Sequence, residues 1–516
     1  MTGGAADSFA AEPLAPIARG SAPSWLRMAV VVLAAAVVWA ATLPNGPLGD
    51  DRVLLDRRLA DITWGSLPGL VGESYWGSLH PGGGLYRPAA LILLGAQRLL
   101  FAVELAAYRV VTMALHAIAS VLVLRVLERS GGRGALAGAL LFAVHPIHAE
   151  SISTVYGQQD VAAGALALAA LSAYLARDGR QTRRSSLGIA GMYFLGMAFK
   201  EQVVLLPLLL VAWQAREATR PRRPWGASPL PWCAVALLLY GVLRVQALGT
   251  VVVPAGAATI ADGYPWWARA TLVVTTLGTY VRLLAWPSGQ TTYYGDLRDS
   301  IFGGPTFELA LLGVAVAGVL VLYRSTRDAA VVRAAAVLAV FLLPVANIVP
   351  IGTVVAERSL YLPVLAVSLL AALAWRTVVD VSPRAAAAAA TIVMLLCVLA
   401  TVRVAVQWRT PLSHWRATAA AHPQSPKAHA SVAILLLEAL VSHRQHEDRG
   451  ESLLEAENAL ETAFDLSPSS PDAWRGQAVL HAVRGECPQA AQAFRHLRAG
   501  DPDRPGVARF LQDACR

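Results

Sequence analysis

The chain has little charge. Of its 516 residues, 15% are charged and 56% are hydrophobic, and the mean hydropathy is +0.50. Such values lie outside the range of soluble domains, which need a solvated surface. The hydrophobic residues form blocks between short charged loops and do not alternate as in a β-barrel, so the spanning elements are predicted to be helices. The composition therefore excludes an ordinary soluble protein and predicts an all-α, polytopic membrane domain.

Cysteine is also scarce, with four residues in the whole chain. This number excludes a disulfide framework as the basis of the fold. Cys233 and Cys397 lie within apolar runs, where packing is the simplest role, whereas Cys487 and Cys515 lie in the polar C-terminal region and could pair. The net charge of +9 comes mainly from arginines in short loops beside apolar blocks, so we expect no nucleic-acid partner.

The hydropathy pattern predicts about eleven spans in residues 26–408, after a disordered segment at 1–25. The predicted spans are 26–43, 107–127, 134–150, 160–176, 186–199, 202–215, 229–248, 307–323, 333–350, 359–376 and 385–406.

With a cytoplasmic N-terminus, the arginine-rich loops between these spans all lie on the cytoplasmic side, as the positive-inside rule requires. Two other apolar stretches, 88–104 and 267–286, are each interrupted by an arginine and are predicted to be interfacial or re-entrant helices. This topology places the loop 44–106, the 249–306 stretch and the C-terminal region 409–516 on the external face.

The C-terminal region 409–516 is polar and contains a self-similarity with a period of 34 residues. Small residues followed by an aromatic residue and a proline at this period resemble the tetratricopeptide repeat. We predict a short α-solenoid that docks on the membrane part, with an insertion at 442–450, and that is either a groove for a peptide or partner or a structural cap. The matching positions are Ala456, Leu460 and Pro468 against Ala490, Phe494 and Pro502.

Ionisable residues near a bilayer are kept where they are paired or functional. Asp50 and Asp51 directly follow the first span, where two carboxylates could supply a general base, hold a cation or simply form a solvated turn. Arg87 precedes a proline at the start of an apolar stretch and could bind phosphate or extend to the interface.

Two further groups of ionisable residues lie at the ends of predicted spans. His145, His148 and Glu150 lie within six residues, but a proline interrupts the helix there, so hydrogen bonding to a sugar or phosphate is favoured over a metal site. The pairs Lys200-Glu201 and Glu357-Arg358 each place a cation beside a carboxylate. Each cation could be neutralised by that neighbour or could hold a lipid phosphate.

In order and spacing, these motifs resemble the transmembrane and tetratricopeptide-repeat O-mannosyltransferases that modify cadherins. The resemblance implies the C-type glycosyltransferase fold, a long first external loop with a catalytic acidic residue, and a polyprenyl-phosphate sugar donor. The chain departs from the family where Gly157-Gln158-Gln159-Asp160 replaces a Gly-Arg-Ala-Asp turn, and in its shorter repeat array. The motifs that carry the resemblance are Asp50-Asp51, Ser74-Tyr75-Trp76-Gly77, Tyr86-Arg87-Pro88, residues 144–150, Lys200-Glu201-Gln202 and residues 355–363.

By this resemblance the chain transfers a sugar, mannose in that family, to a Ser or Thr hydroxyl of an exported protein with inversion. Asp50, with Asp51 as runner-up, is expected to be the base, and no metal or other cofactor is expected. Three alternatives remain open: a transferase of the same fold acting on a lipid or polysaccharide, a non-catalytic membrane scaffold and a transporter. The predicted donor-binding residues are Arg87, His145, His148, Glu150, Lys200, Glu201, Glu357 and Arg358.

Overall fold

The computed structural model describes residues 23–79, 84–177, 181–214, 228–250, 265–294, 306–349, 351, 353–441, 449–497 and 504–515. All regular structure in these ranges is helical, which confirms the all-α prediction. The predicted disordered segment up to residue 22, residues 251–264 and 295–305 of the 249–306 stretch, and most of the predicted repeat insertion lie outside the described residues.

The described residues of the N-terminal part form α1 to α14, with short 3-10 or π-helical turns between some of them. Each of the eleven predicted spans overlaps one of these helices. They are α1 (Ser24–Trp39), α2 (Pro88–Phe101), α3 (Leu105–Ser130), α4 (Ala135–Val144), α5 (Ala149–Ser153), α6 (Gln158–Leu175), α7 (Arg183–Phe199), α8 (Leu206–Gln214), α9 (Pro229–Leu248), α10 (Trp266–Ala285), α11 (Thr306–Thr326), α12 (Ala329–Leu342), α13 (Val364–Val381) and α14 (Pro383–Gln407).

Five helical segments of the described chain are long and apolar enough to cross a bilayer. α4 and the helical segment Pro146–Ser153 bend by 42° at the break between them and would make a sixth span if they cross together. The other predicted spans coincide with helices that are shorter or more polar, so the count of eleven stays a prediction. The five segments are Ser24–Thr42, Leu105–Ser130, Pro229–Leu248, Val364–Val381 and Pro383–Gln407.

Two glycines allow α4 to approach α13 closely. A Cβ atom on Gly138 would lie 2.4 Å from the carbonyl oxygen of Ser368, and one on Gly134 would lie 2.3 Å from that of Ala372. Small residues at such contacts are typical of membrane helix packing. This contact fixes α4, which ends where Pro146 interrupts the helix.

The described part of the C-terminal region folds into six helices that pack on one another in chain order. At the predicted repeat positions, Ala456 and Ala490 are buried, which lets neighbouring helices approach closely. Cys487 and Cys515 form a disulfide that ties the last helix to the one before it. The helices are α15 (Pro411–Ala421), α16 (Pro426–Val441), α17 (Arg449–Leu466), α18 (Pro471–Val483), α19 (Cys487–Arg495) and α20 (Arg504–Ala514).

α15 contacts the loop 287–294, which follows α10. The imidazole Nε2 of His414 lies 2.9 Å from the Thr292 hydroxyl, and the hydroxyls of Thr418 and Thr291 lie 3.0 Å apart. His414 and Thr418 are both buried. The first C-terminal helix is therefore docked on the membrane part through a polar, buried contact.

Candidate functional site

The turn after α1 is held by hydrogen bonds from other helices. Arg109 on α3 is buried and donates to the carbonyl oxygens of Asn45, Gly46 and Ser153. The backbone N–H of Gly46 donates to the carbonyl oxygen of Arg409, at 2.7 Å. The two aspartates that follow are therefore presented on an anchored turn.

Asp50 and Asp51 have different environments. Asp51 is fully buried, and its carboxylate accepts hydrogen bonds from the backbone N–H groups of Leu48 at 3.0 Å, Val155 at 2.8 Å and Tyr156 at 3.3 Å. Burial raises the pKa of Asp51 to about 7, and these hydrogen bonds oppose the rise. Asp50 is exposed. Asp51 thus stabilises the turn from within, and Asp50 is the aspartate of the pair that is exposed.

Arg358 reaches this turn through Tyr156. Its guanidinium forms an ion pair with the buried Glu150 and lies 5.2 Å from the centroid of the Tyr156 ring. The Tyr156 hydroxyl donates to Glu150 at 3.3 Å. The same ring packs on Gly49, where an added Cβ would lie 3.1 Å away. Glu150 and Tyr156 together hold Arg358 beside the residues that carry Asp50.

Arg87 belongs to a second cation group. Its Nε atom lies 2.9 Å from an oxygen of Glu201, whose other oxygen lies 3.5 Å from the guanidinium of Arg244 on α9. The Arg87 guanidinium also lies 5.7 Å from the centroid of the Tyr75 ring. Both arginines are largely buried, so Glu201 acts as the shared counter-ion that orients them.

Lys200 connects the two cation groups. It is buried and forms an ion pair with the buried Asp160 at the start of α6. Lys200 also experiences the positive charges of Arg358 and Arg87. Three cations from sequence-distant segments therefore share one region of the molecule.

Tyr75 lies among these groups and links them to the acidic turn. The charges of Arg87, Asp50, Arg358 and Asp160 all act on its hydroxyl. The predicted residues Asp50, Arg87 and Arg358 are thus brought together around one buried tyrosine.

The two predicted histidines lie deeper, in an aromatic cluster. The His148 ring lies 5.1 Å from His116, 4.7 Å from Phe142 and 4.6 Å from Tyr361, measured between ring centroids. Among the described residues, neither of its ring nitrogens has a hydrogen-bond partner. His145 uses Nδ1 to accept from the backbone of Ile147, two residues on. His145 and His148 thus belong to the segment that leads to Glu150, and their contacts in the described structure are with aromatic rings and backbone.

Glu357 faces away from the cations. It accepts hydrogen bonds from the Tyr294 hydroxyl at 2.6 Å, the Thr291 backbone at 2.7 Å and the Gln290 side chain at 2.8 Å. Burial raises its pKa to about 8. Glu357 therefore binds the loop on which α15 docks, while the adjacent Arg358 points to the site.

Lys200 and Arg358 do not form ion pairs with the glutamates next to them in sequence. Lys200 pairs with Asp160 and not with Glu201, and Arg358 pairs with Glu150 and not with Glu357. Adjacent residues at the start of a 3-10 turn project in different directions, so distant helices supply the counter-ions.

Sequence analysis did not assign Asp160, Arg244, Tyr75 or Tyr156 to the site. Arg244 carried the clearest signal, since it is the only charged residue in the predicted span 229–248. Asp160 and Tyr75 lay in the family motifs without a role. Within the described ranges, no group of three or more His, Cys, Asp or Glu side chains is arranged to hold a metal ion.

Comparison with known proteins finds two mammalian relatives. The chain is 24% identical to protein O-mannosyl-transferase TMTC3 of Homo sapiens over 340 residues, which cover 57% of this chain and 36% of the relative. It is 24% identical to protein O-mannosyl-transferase TMTC3 of Mus musculus over 396 residues, 68% of this chain and 42% of the relative. The aligned region is therefore well under half the length of either relative. No protein-family model matches the chain.

Proposed function

We propose that this distant relative of the TMTC O-mannosyl-transferases is a membrane glycosyltransferase that moves a mannosyl group from a polyprenyl phosphate to a Ser or Thr hydroxyl of an exported protein. The observation that carries the proposal is the convergence of exposed Asp50 with Arg87, Lys200 and Arg358, which come from sequence-distant segments. A scaffold without catalysis has no need of such a constellation.

The charge of the site suits a lipid-linked phosphodiester. Four cations, Arg87, Lys200, Arg244 and Arg358, are paired with three carboxylates. One positive charge remains before Asp50 is counted, and a sugar phosphodiester carries one negative charge. Arginine suits phosphate because its planar fork of N–H donors matches the phosphate oxygens.

The reaction is a single in-line displacement. The acceptor oxygen attacks the anomeric carbon, the carbon–oxygen bond to phosphate breaks with its electron pair going to the phosphate oxygen, and the hydroxyl proton passes to Asp50. The configuration at the anomeric carbon inverts. Negative charge on the phosphate increases along the reaction, so cations already oriented by Glu150, Asp160 and Glu201 stabilise the transition state more than the ground state.

The disulfide supports an external position for the C-terminal helices. Disulfides form and persist in oxidising compartments, and Cys487 and Cys515 join the last two helices. α15 docks beside Glu357, the neighbour of Arg358, so the site and these helices belong to the same face. We propose that both are external and that the C-terminal helices hold the protein acceptor.

The decisive experiment is direct transfer by the purified protein in lipid nanodiscs. Polyprenyl-phosphate mannose or glucose is supplied with a panel of Ser/Thr peptides and with lipid and polysaccharide acceptors, and products are identified by mass. We expect mannosylated peptide, formed also in the presence of a chelator. A product on the lipid or polysaccharide alone would replace the proposed acceptor.

Asp50→Asn tests the base. We expect product formation to fall roughly a hundredfold or more, because a positioned carboxylate no longer accepts the proton, while donor binding is retained. Asp56→Asn is the matched control, since Asp56 is an exposed acid six residues further on. Full turnover by Asp50→Asn would remove Asp50 from this role.

A further inference from the structure

We infer that Tyr75 is a donor-binding residue whose hydroxyl donates a hydrogen bond to the phosphate of the lipid-linked sugar. The inference rests on the proposed function, because it names a further contact in the same site. Sequence analysis recorded Tyr75 only as part of a family motif.

The Tyr75 ring is held in place on several sides. Its backbone N–H donates to the carbonyl oxygen of Leu85 at 2.9 Å, and its own carbonyl accepts from Arg58 at 3.0 Å. The Trp76 ring lies edge-on, with centroids 5.1 Å apart, and the Arg87 guanidinium lies over the ring. A side chain fixed in this way presents its hydroxyl at a defined position.

The hydroxyl of Tyr75 is buried without a hydrogen-bond partner in the described part of the chain. The residue as a whole is 1% exposed. Other buried tyrosines follow the usual pattern, since Tyr108, Tyr193 and Tyr240 each donate to a backbone carbonyl oxygen at 2.7 to 2.9 Å. A buried hydroxyl with no partner is unfavourable and calls for an explanation, such as a ligand that binds there.

The surrounding charges indicate which ligand atom the hydroxyl meets. The guanidinium groups of Arg87 and Arg358 and the carboxylates of Asp50 and Asp160 all act on Tyr75, so its hydroxyl lies among two cations and two acids. Burial raises the pKa of Tyr75, so the hydroxyl keeps its proton and is available as a donor. An anionic phosphate oxygen is the acceptor that can bind the Tyr75 hydroxyl together with the guanidinium groups of Arg87 and Arg358.

Tyr75→Phe tests the inference, because it removes only the hydroxyl and keeps the ring beneath Arg87. We expect kcat/KM for the donor to fall roughly tenfold to a hundredfold, the range for a hydrogen bond to a charged acceptor. Binding of polyprenyl phosphate should weaken by a similar factor, whereas binding of uncharged polyprenol and the KM for peptide should not change. Tyr108→Phe is the matched control, and its donor kinetics should equal those of the wild type.

Thermal unfolding separates a ligand contact from a structural one. Tyr108→Phe removes a satisfied hydrogen bond and should lower the unfolding midpoint, whereas Tyr75→Phe removes an unsatisfied hydroxyl and should leave the midpoint unchanged or raise it. A Tyr75→Phe midpoint that falls as far as that of Tyr108→Phe would show a protein partner for the hydroxyl and overturn the inference.

The kinetic outcomes distinguish this inference from the proposed function. If the wild type transfers sugar and Tyr75→Phe matches it in kcat/KM and in affinity for polyprenyl phosphate, the inference is wrong and the proposed function stands. If the wild type neither binds polyprenyl phosphate nor transfers sugar, both are wrong.

Discussion

At the scale of single residues, the structure distinguishes two neighbouring aspartates that the sequence could not. Sequence patterns could not choose between Asp50 and Asp51, because both follow the first span directly. In the structure, the Asp51 carboxylate accepts hydrogen bonds from three backbone N–H groups, whereas Asp50 is exposed. Adjacent side chains in a turn point in different directions, so only the folded chain assigns their roles.

Glu357 provides a test through pH. Its native pKa of about 8 lies above the ordinary value of 4.5, so the folded state binds this proton more tightly than the unfolded state. The resulting stability is fully present below about pH 4.5 and is lost as the pH rises through about 8. We expect the unfolding midpoint to fall between pH 5 and pH 8.5, and to fall less steeply in Glu357→Gln.

The control for this series is Glu461→Gln, which removes an exposed carboxylate of the C-terminal helices. Its pH profile should follow that of the wild type. A Glu357→Gln profile as steep as the wild-type profile would show that Glu357 is ionised throughout the range.

At the scale of elements, hydropathy predicted where helices lie along the chain but not how they pack against one another. Each predicted span overlaps a helix because an apolar run of that length must satisfy its own backbone hydrogen bonds. The bend of 42° after α4 was signalled by Pro146, but its angle depends on packing against α13. The position of the segment that carries Glu150 therefore depends on a helix contact that no local pattern contains.

Gly138→Ala tests that contact. The added Cβ would lie 2.4 Å from a backbone oxygen of α13, so the helices must separate, and we expect the free energy of unfolding to fall by about 1–3 kcal/mol. Transfer activity should fall as well, because α4 leads into the His145–Glu150 segment. Unfolding midpoints and transfer rates measure the two effects.

Gly191→Ala is the matched control on α7. Nothing lies within 4 Å of a Cβ placed there, so the substitution should be neutral or should stabilise the helix by up to about 1 kcal/mol. Equal effects of the two substitutions would mean that helix propensity, and not the close approach of α4 and α13, decides the result.

At the scale of the whole molecule, the loop 287–294 connects the C-terminal helices to the site. α15 contacts Thr291 and Thr292, and the same loop donates hydrogen bonds to Glu357. Arg358, the next residue, forms the ion pair with Glu150. A displacement of α15 would therefore be transmitted to Arg358 through a few direct contacts.

Orientation across the membrane is the prediction at this scale. We expect a single cysteine introduced at exposed Asp56 and one at exposed Glu451 to react with a membrane-impermeant thiol reagent from the same, external side. A cysteine at exposed Arg133, in a predicted cytoplasmic loop, is the control and should be protected until the membrane is permeabilised. Labelling of positions 56 and 451 from opposite sides would refute the topology.

Composition and hydropathy by themselves determined the all-α membrane class and the approximate place of the helix in each predicted span, because burial of apolar runs in lipid is a local requirement of the chain. The order of the motifs by itself determined the resemblance to the O-mannosyltransferases. Only the tertiary structure decided that Lys200 pairs with Asp160, that Arg358 pairs with Glu150 and that the Tyr75 hydroxyl lies among them. These are contacts between residues far apart in sequence. Their geometry depends on how the helices pack, which the hydropathy pattern of the sequence does not predict.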